Sequence, residues 1–346
     1  MKTLLKLAVL ALVSTTALAL AGNALATQKL SVTQTTTTLT IKISQAQSDQ
    51  QPARISIYVP TGYSINASAT PGTKIGTTTG NVFSRDANIP LPLSGDVIVA
   101  PPTTNAPGCD PVPHLAVWIL SLAVAGQTIS LPVHVDQLAG AEAALGAYKL
   151  VVCLAPDDVP AGTPGRSPNG ARLLDATFTV NNIFTVPAGE SIWKTITTPY
   201  APGTGAPNAA GTVETRSFVS GGAVTMGKKI TNKKKRLFRL SGKVSQAGAG
   251  IAGVQVNVLV NGKTVRFKDA KGHFRKLPRT DAGGNYSLTL QRTGKKSTTT
   301  FQARVTVGER DITSTGCATP SVPGVACVSA TSSAFTAVSA RIKVRL

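Results

Sequence analysis

The sequence predicts an all-β protein, organised as two β-sandwich domains in tandem after a signal peptide. Short runs of alternating apolar and polar residues recur, and Leu39, Ile41 and Ile43 share one face in the manner of a half-buried strand. Glycine and proline are abundant, with 32 and 22 residues, and mark frequent turns between such strands. About 320 residues follow the signal peptide, which is enough for two domains of ordinary size.

The first 26 residues have the features of a cleaved secretory signal peptide. Lys2 and Lys6 form a short positive segment before an apolar stretch over residues 7–20. Residues 24–26 read Ala-Leu-Ala, the small-x-small pattern of a cleavage site. We expect cleavage before Thr27. An uncleaved anchor is disfavoured because the apolar stretch is shorter than the roughly 20 residues that span a bilayer. We therefore expect a secreted or extracellular protein with no transmembrane segment in the mature chain.

The four cysteines are expected to form disulfides, because exported proteins meet an oxidising environment. The simplest of the three pairings joins Cys109 to Cys153 and Cys317 to Cys327, each bond within one half of the chain. Loop closure gives about 4 kcal/mol for the longer loop and somewhat under 3 kcal/mol for the shorter one. A zinc site would need more ligands at finger or ribbon spacing than the chain offers.

Composition predicts where the domains begin and end. The signal peptide covers residues 1–26, an N-terminal sandwich covers 27–220 and a basic C-terminal sandwich covers 221–346. A Pro/Gly-rich loop is expected at 197–212. The apolar stretch 115–125 is predicted as a buried strand, with a buried helix as the alternative.

The whole chain has a formal net charge of +20. Most of this positive charge is concentrated in its C-terminal part. Residues 27–226 hold 10 Lys or Arg against 11 Asp or Glu, whereas residues 227–346 hold 23 against 4. This asymmetry is typical of a basic domain that faces an anionic partner, although a solvated face that only aids solubility remains the alternative. The candidate patch for an anionic polymer comprises Lys228, Lys229, Lys233, Lys234, Lys235, Arg236, Lys268, Lys271, Arg275, Lys276 and Arg279.

Part of the C-terminal half resembles a known family of modules. Residues 240–244 (LSGKV), 251–256 (IAGVQV) and 280–288 (TDAGGNYSL) follow the motif order of carboxypeptidase regulatory-like, transthyretin-like Ig modules. The resemblance covers residues 237–307 and depends on turn chemistry, since glycine allows positive φ angles and Asp281 can bond its own backbone. It implies an Ig-like fold and an accessory, surface or adhesive role, sometimes with carbohydrate binding, as in bacterial secreted proteins. No family is recognised for the first domain, and the expected architecture is two Ig-like β-sandwich domains in tandem.

No signature of a catalytic, cofactor or metal site is found in the sequence, and we expect a non-enzymatic protein without a cofactor. His114, His134 and His273 are scattered without the spacing of metal ligands. A pocket that gathered His114, His134 and an aspartate would revive an enzymatic hypothesis.

Two shorter motifs are interpreted as chance or structural features. Ser191 and Lys194 form a lone S-x-x-K match without the partner motifs of that enzyme class. Asp157 and Asp158 stand between prolines and are predicted to form an exposed turn, since a calcium loop would need further oxygen ligands.

The leading hypothesis is a secreted or cell-envelope-associated binding or structural protein whose basic domain contacts anionic surface polymers. The alternative is a carbohydrate-binding accessory module, which needs an exposed Trp or Tyr ring. Trp118 is expected to be buried, so Trp193 would have to supply that ring. A specific nucleic acid partner is disfavoured by the expected export and by the scarcity of aromatic residues for base stacking. The sequence does not indicate the oligomeric state.

Overall fold

The fold is described from a computed structural model. The described residues are 27–104, 109, 113–187, 189–268, 271–291 and 298–345. The expected signal peptide lies outside them. The all-β class is confirmed, because these residues form 25 strands, one four-residue α-helix and three short 3₁₀ turns. No helix in this part of the chain has the length and apolar character needed to cross a membrane.

The first thirteen strands occupy the chain up to Val219. They are β1 (Lys29–Gln34), β2 (Thr38–Ser44), β3 (Pro52–Val59), β4 (Ser64–Ile65), β5 (Lys74–Ser84), β6 (Ile89–Ala100), β7 (Ala116–Val124), β8 (Gln127–Gln137), β9 (Tyr148–Cys153), β10 (Ala171–Asn181), β11 (Phe184–Thr185), β12 (Ser191–Pro199) and β13 (Val213–Val219). The 3₁₀ turns cover Gly140–Ala144, Pro168–Gly170 and Ala209–Gly211.

The remaining elements follow from Gly222. They are β14 (Gly222–Val224), β15 (Gly227–Asn232), β16 (Leu237–Gln246), β17 (Ala249–Gly250), β18 (Asn257–Val260), β19 (Lys263–Thr264), β20 (Asn285–Gln291), β21 (Thr298–Val307), β22 (Arg310–Asp311), α1 (Thr313–Gly316), β23 (Ala326–Ser332), β24 (Phe335–Val338) and β25 (Ile342–Arg345).

A thirteen-stranded sheet, called the large sheet below, has the strand order β1-β2-β10-β5-β6-β7-β8-β9-β3-β12-β13-β23-β22. It folds over on itself, so that β1 contacts β13 and β23 near its other end. The Val32 N–H donates to Ser217 Oγ at 2.9 Å, and Thr331 Oγ1 donates to the Leu30 carbonyl at 2.7 Å. Strands β4 and β11 form a separate two-stranded sheet.

The core of the large sheet is built from the alternating strands that the sequence predicts. Leu39, Ile41 and Ile43 of β2 are buried together, as expected. The apolar stretch 115–125 forms β7, so the strand is confirmed over the buried helix. Trp118 lies in the same core. Burial of these side chains is the main favourable term in folding, at about 25 cal/mol per Å² of apolar surface.

Two five-stranded sheets form a second layered unit, called the small sandwich below. One sheet has the order β14-β16-β15 with β17 and β20 on β16, and the other has the order β19-β18-β21-β24 with β25 on β21. Phe238 and Leu240 of the first sheet pack against Phe301 of the second. Asn261 and Gly262 take φ angles of 50° and 82°, and these positive values are typical of a type I′ hairpin, which here joins β18 to β19.

The chain returns from the small sandwich to the large sheet over residues 310–332. Strand β23 pairs in parallel with β13, and β22 pairs with β23. The boundary expected at residue 221 therefore does not separate the two sets of sheets. Strand β13 pairs with β12 along one of its edges. Strand β23 pairs along the other edge of β13 and satisfies the backbone N–H and C=O groups there. Ser329 and Thr331 of β23 are polar but buried, which conceals a strand from an apolar pattern.

Both expected disulfides are present. Cys109 pairs with Cys153 and Cys317 with Cys327, with Cα atoms 5.7 Å and 5.4 Å apart. The second bond joins the end of α1 to β23. It was expected within the C-terminal sandwich, but it belongs to the large sheet because its segment pairs there.

Candidate functional site

The edge strand β15 places a row of cations in solvent. All six residues of β15 are exposed, among them Lys228 and Lys229. The Lys228 ammonium donates to the backbone carbonyl of Lys343 on β25, so β15 and β25 run along the same side of the small sandwich. Lys343 and Arg345 of β25 are also exposed. We call Lys228, Lys229, Lys343 and Arg345 the basic edge.

The hairpin tip, residues 233–236, continues the basic edge at one end of the sandwich. The Lys235 N–H donates to Asn232 Oδ1 at 2.9 Å, and Arg236 takes a φ of 54° to close the turn. Gln291 Nε2, at the end of β20, donates to the Lys235 carbonyl at 3.2 Å. These bonds hold four consecutive cationic residues at a defined place beside the end of β20.

The basic loop, described at residues 265–268 and 271–278, reaches the same end from the other side of the sheet. Phe267 anchors it by packing against the core that contains Phe238 and Leu290. Arg275 fixes its position, since its N–H donates to the Phe267 carbonyl at 2.8 Å and its Nη1 donates to the Thr289 carbonyl at 2.7 Å. Thr289 lies two residues before the strand end that contacts the hairpin tip, so the loop and the tip are neighbours.

An exposed aromatic ring stands within the basic loop. Phe274 is 61% exposed, and Lys268 Nζ lies 5.0 Å from the centre of its ring. Such a contact is a cation–π interaction. Lys271 lies between these two residues in the sequence and Lys276 follows them, and both lysines are exposed.

One predicted patch residue lies elsewhere. Arg279 Nη1 donates to the Gly253 carbonyl at 3.0 Å, and Arg279 bridges to Gln255. These contacts lie near Asn285, where β20 begins, about 20 Å along the strand from its end at Gln291. The other ten predicted residues lie along β15, at the hairpin tip or in the basic loop.

Sequence reasoning missed the contribution of β25. Arg341, Lys343 and Arg345 alternate with apolar residues, a pattern that indicates a protected edge strand rather than a binding surface. The pairing of β25 with β21 places Lys343 beside Lys228 of a different sheet. That juxtaposition depends on how the two sheets stack, which local periodicity does not encode.

Few carboxylates stand near these cations. Residues 227–346 contain Asp269, Asp281, Glu309 and Asp311, and Asp269 is not among the described residues. The backbone N–H of Asn285 holds the pKa of Asp281 below its ordinary value, in the turn at the far end of β20. Glu309 accepts a bond from the large sheet, and Asp311 accepts bonds from Thr313. None of these three described carboxylates pairs with the basic edge.

The histidines that could have revived an enzymatic hypothesis do meet. The rings of His114 and His134 stack with centroids 4.2 Å apart, and His114 Nδ1 lies 2.9 Å from Asp136 Oδ1. Both histidines are buried, and neither lines the apolar cavity inside the large sheet. Among the described residues there is no group of three or more His, Cys, Asp or Glu that could hold a metal. The arrangement ties the segment before β7 to β8.

The two shorter motifs also take structural places. Asp157 is fully buried and pairs with Arg172 Nε at 2.7 Å and Arg85 Nη1 at 3.4 Å. The expected exposed turn is therefore wrong for Asp157, whose carboxylate balances two guanidinium groups. Ser191 is buried on β12, and Lys194 lies three residues along the same strand and so on the opposite face.

Neither tryptophan can serve as a sugar platform. Trp118 is 1% exposed and Trp193 is 0% exposed, because both fill the core of the large sheet. The Trp193 ring that the carbohydrate alternative needed is therefore inaccessible.

Comparison with known proteins adds little to this geometry. No protein-family model and no curated protein matches the chain. Among solved structures, the chain is similar to one described as "Biofilm associated protein - B domain", with 8% sequence identity and a TM-score of 0.18, over 92% of this chain and 85% of that chain. A likeness this low carries no argument about function. The resemblance of residues 237–307 to carboxypeptidase regulatory-like modules thus stays a prediction.

Proposed function

We propose that this is a non-enzymatic, secreted cell-surface protein whose small sandwich binds an anionic polymer of the cell envelope. The observation that carries the proposal is the continuous run of cations from the basic edge, through the hairpin tip, to the basic loop. The expected signal peptide and the two disulfides support an oxidising, extracytoplasmic setting.

Clustering is what distinguishes a binding surface from a solvated face. The Lys228 ammonium reaches the backbone carbonyl of Lys343 on β25, and salt screens surface charges only beyond about 8 Å at physiological ionic strength. Lys228 and Lys229 therefore act together with the cations of β25 on a polymer that carries regularly spaced negative charges. The same number of lysines scattered over the surface would be screened from one another.

Phe274 favours an acidic polysaccharide over a bare phosphate polymer. Its exposed ring offers an apolar face on which the C–H groups of a sugar can pack, while Lys268 beside it can meet a carboxylate. This combination replaces the tryptophan platform that the structure rules out.

The test uses the mature chain, residues 27–346, because residues 310–332 belong to the large sheet and the small sandwich is not a self-contained fragment. Binding to purified cell wall and to alginate, an acidic polysaccharide, is measured over a series of salt concentrations, with neutral dextran as control. We expect binding to both anionic materials to weaken steeply with salt, and no binding to dextran. Binding that is independent of salt, or equal on dextran, would contradict the proposal.

Binding to polyphosphate is measured as well, for the unmodified chain and for a Phe274→Ala variant, to distinguish an acidic polysaccharide from a phosphate polymer as the partner. The variant is expected to bind alginate several-fold more weakly and polyphosphate with unchanged affinity. Equal effects on both would show that the ring does not contact a sugar.

A further inference from the structure

The interior of the large sheet contains an apolar cavity that the proposed function does not use. Its volume is about 360 Å³, within the range of roughly 300–1,000 Å³ that is typical of small-molecule sites. The wall is aliphatic, as shown by Ile41, Leu122, Leu131 and Leu150, with Phe178 as its aromatic member. No charged side chain is found among the described residues that line it.

The cavity is long and opens to solvent. Its wall follows β10 from Ala171 to Phe178, seven residues apart, which corresponds to about 23 Å of extended chain. Ser130 and Pro168 line one part of it and are exposed, and Leu131 beside them is half-buried. Aliphatic side chains thus face water through this opening, which is unfavourable unless a ligand covers them.

Two buried hydroxyl groups in the wall lack partners. Thr78 is 1% exposed and Ser167 is 7% exposed, and neither Thr78 Oγ1 nor Ser167 Oγ hydrogen-bonds to any described group. Buried polar groups are nearly always satisfied, so the Ser167 hydroxyl, next to Pro168, indicates a missing partner at that end of the cavity. Thr78 lies at the other end, opposite Phe178. Each hydroxyl can donate one hydrogen bond and accept others.

We propose that this cavity binds a single linear acyl chain, such as that of a lipid, with its head group at the Ser130 and Pro168 opening. The aliphatic wall and the length of the cavity match a flexible hydrocarbon chain rather than a planar aromatic ligand. The absence of charge from the described wall requires any charged head group to remain at the mouth, because an unpaired charge inside would be strongly disfavoured. The Ser167 hydroxyl, next to Pro168 at this opening, then bonds to an oxygen atom of the head group.

The test measures binding of a fluorescent fatty acid to the mature chain, and its displacement by unlabelled fatty alcohols of increasing length. Ala176→Trp places a bulky ring in the cavity wall, and Ala123→Trp places the same ring on the exposed outer face of β7. We expect Ala176→Trp to weaken binding about tenfold or more and Ala123→Trp to leave it unchanged. Equal binding by the two variants, or no binding by the unmodified chain, would overturn the proposal.

A second variant guards against misfolding of the first. Ser167→Ala removes a hydroxyl that has no partner among the described residues, so thermal unfolding should still be cooperative. It is expected to weaken the binding of fatty alcohols several-fold, and unchanged affinity would overturn the assignment of this hydroxyl. Because the cavity lies in the large sheet, polymer binding by the small sandwich is measured independently of this result.

Discussion

At the scale of single residues, a buried ion pair fastens the returning segment to the large sheet. Glu214 is fully buried and accepts bonds from Arg216 Nε at 2.6 Å and from the Ser321 N–H at 2.8 Å. Arg216 Nη1 in turn donates to the Gly316 carbonyl at 2.8 Å. The pair therefore links β13 to the loop that follows α1.

Removing the charge of Glu214 is expected to destabilise the fold strongly. Glu214→Gln leaves Arg216 buried without its counter-charge, and such a loss costs about 3–5 kcal/mol in the free energy of unfolding. Urea denaturation at neutral pH measures the loss. Asp86→Asn is the control, because Asp86 pairs with Arg166 in solvent and should cost less than about 1 kcal/mol. Similar losses for both variants would contradict this role of Glu214.

The Glu214–Arg216 pair is also expected to make the stability of the fold decrease at low pH. Burial alone would raise the pKa of Glu214, but hydrogen bonds from Arg216 and Ser321 outweigh it and hold the pKa below its ordinary value. A carboxyl whose pKa is lowered in the folded state contributes stability above its unfolded pKa of about 4.3 and loses it as pH falls through the folded pKa. We expect Glu214→Gln to abolish this component in an acid titration of stability. If the free energy of unfolding fell equally with decreasing pH in the variant and in the unmodified chain, Glu214 would not be the source of this acid sensitivity.

At the scale of elements, sequence periodicity predicts the strands that bury one apolar face, and it fails where polar residues are buried. Strand β2 and strand β7 follow from their apolar residues. Strand β23, in contrast, buries polar side chains such as Thr331, whose hydroxyl bonds to the Leu30 carbonyl of β1 and to Ser217 of β13. Those partners are more than 100 residues away in the chain, so no local pattern indicates them.

The disulfide between α1 and β23 should stabilise the returning segment. Its cysteines are 10 residues apart, and closure of such a loop contributes about 2–3 kcal/mol. Replacing Cys317 and Cys327 by serine is expected to lower hydrogen-exchange protection in β23 more than in β7. The Cys109→Ser, Cys153→Ser double variant is the control, and it should not lower the hydrogen-exchange protection of β23 more than that of β7. Uniform loss of protection in both variants would contradict a local role.

At the scale of the whole molecule, Gln246 joins the small sandwich to the large sheet. It is 4% exposed, and its Nε2 donates to the carbonyls of Ser220 at 3.0 Å and Ser333 at 2.9 Å. Its Oε1 accepts from Ser332 Oγ at 3.0 Å and from the Arg310 guanidinium. One side chain thus contacts all three places where the chain crosses between the two sets of sheets, at Ser220, Arg310 and Ser332–Ser333.

Loss of Gln246 is expected to uncouple the two sets of sheets. Gln246→Leu leaves several buried polar groups unsatisfied, at about 1–3 kcal/mol for each. Calorimetry should show a single unfolding transition for the unmodified chain and two for the variant. A single transition in the variant, at an unchanged temperature, would contradict this role.

The basic character of the C-terminal part is readable from the sequence, whereas its arrangement is not. Composition identifies ten of the residues that line β15, the hairpin tip and the basic loop. Composition does not predict that Arg279 lies near the start of β20, away from the hairpin tip, or that Lys343 lies beside Lys228. Both depend on which strand edges meet in the folded sandwich.

The central claim is that clustered cations, rather than net charge, bind the polymer, and two variants of equal charge test it. The edge variant carries Lys228→Gln, Lys229→Gln and Lys343→Gln. The control variant removes three exposed cations outside the basic edge, namely Lys243→Gln, Lys263→Gln and Arg304→Gln.

Both variants keep the same net charge, and their affinity for alginate is measured across a range of salt concentrations. Each cation in contact with a polyanion adds roughly 0.7–0.9 to the slope of log affinity against log salt, as established for nucleic acids. We predict that the edge variant loses about two units of slope and about tenfold in affinity at physiological salt, while the control stays within about threefold of the unmodified chain. Equal losses in the two variants would show that the positive charge is only a solvated face.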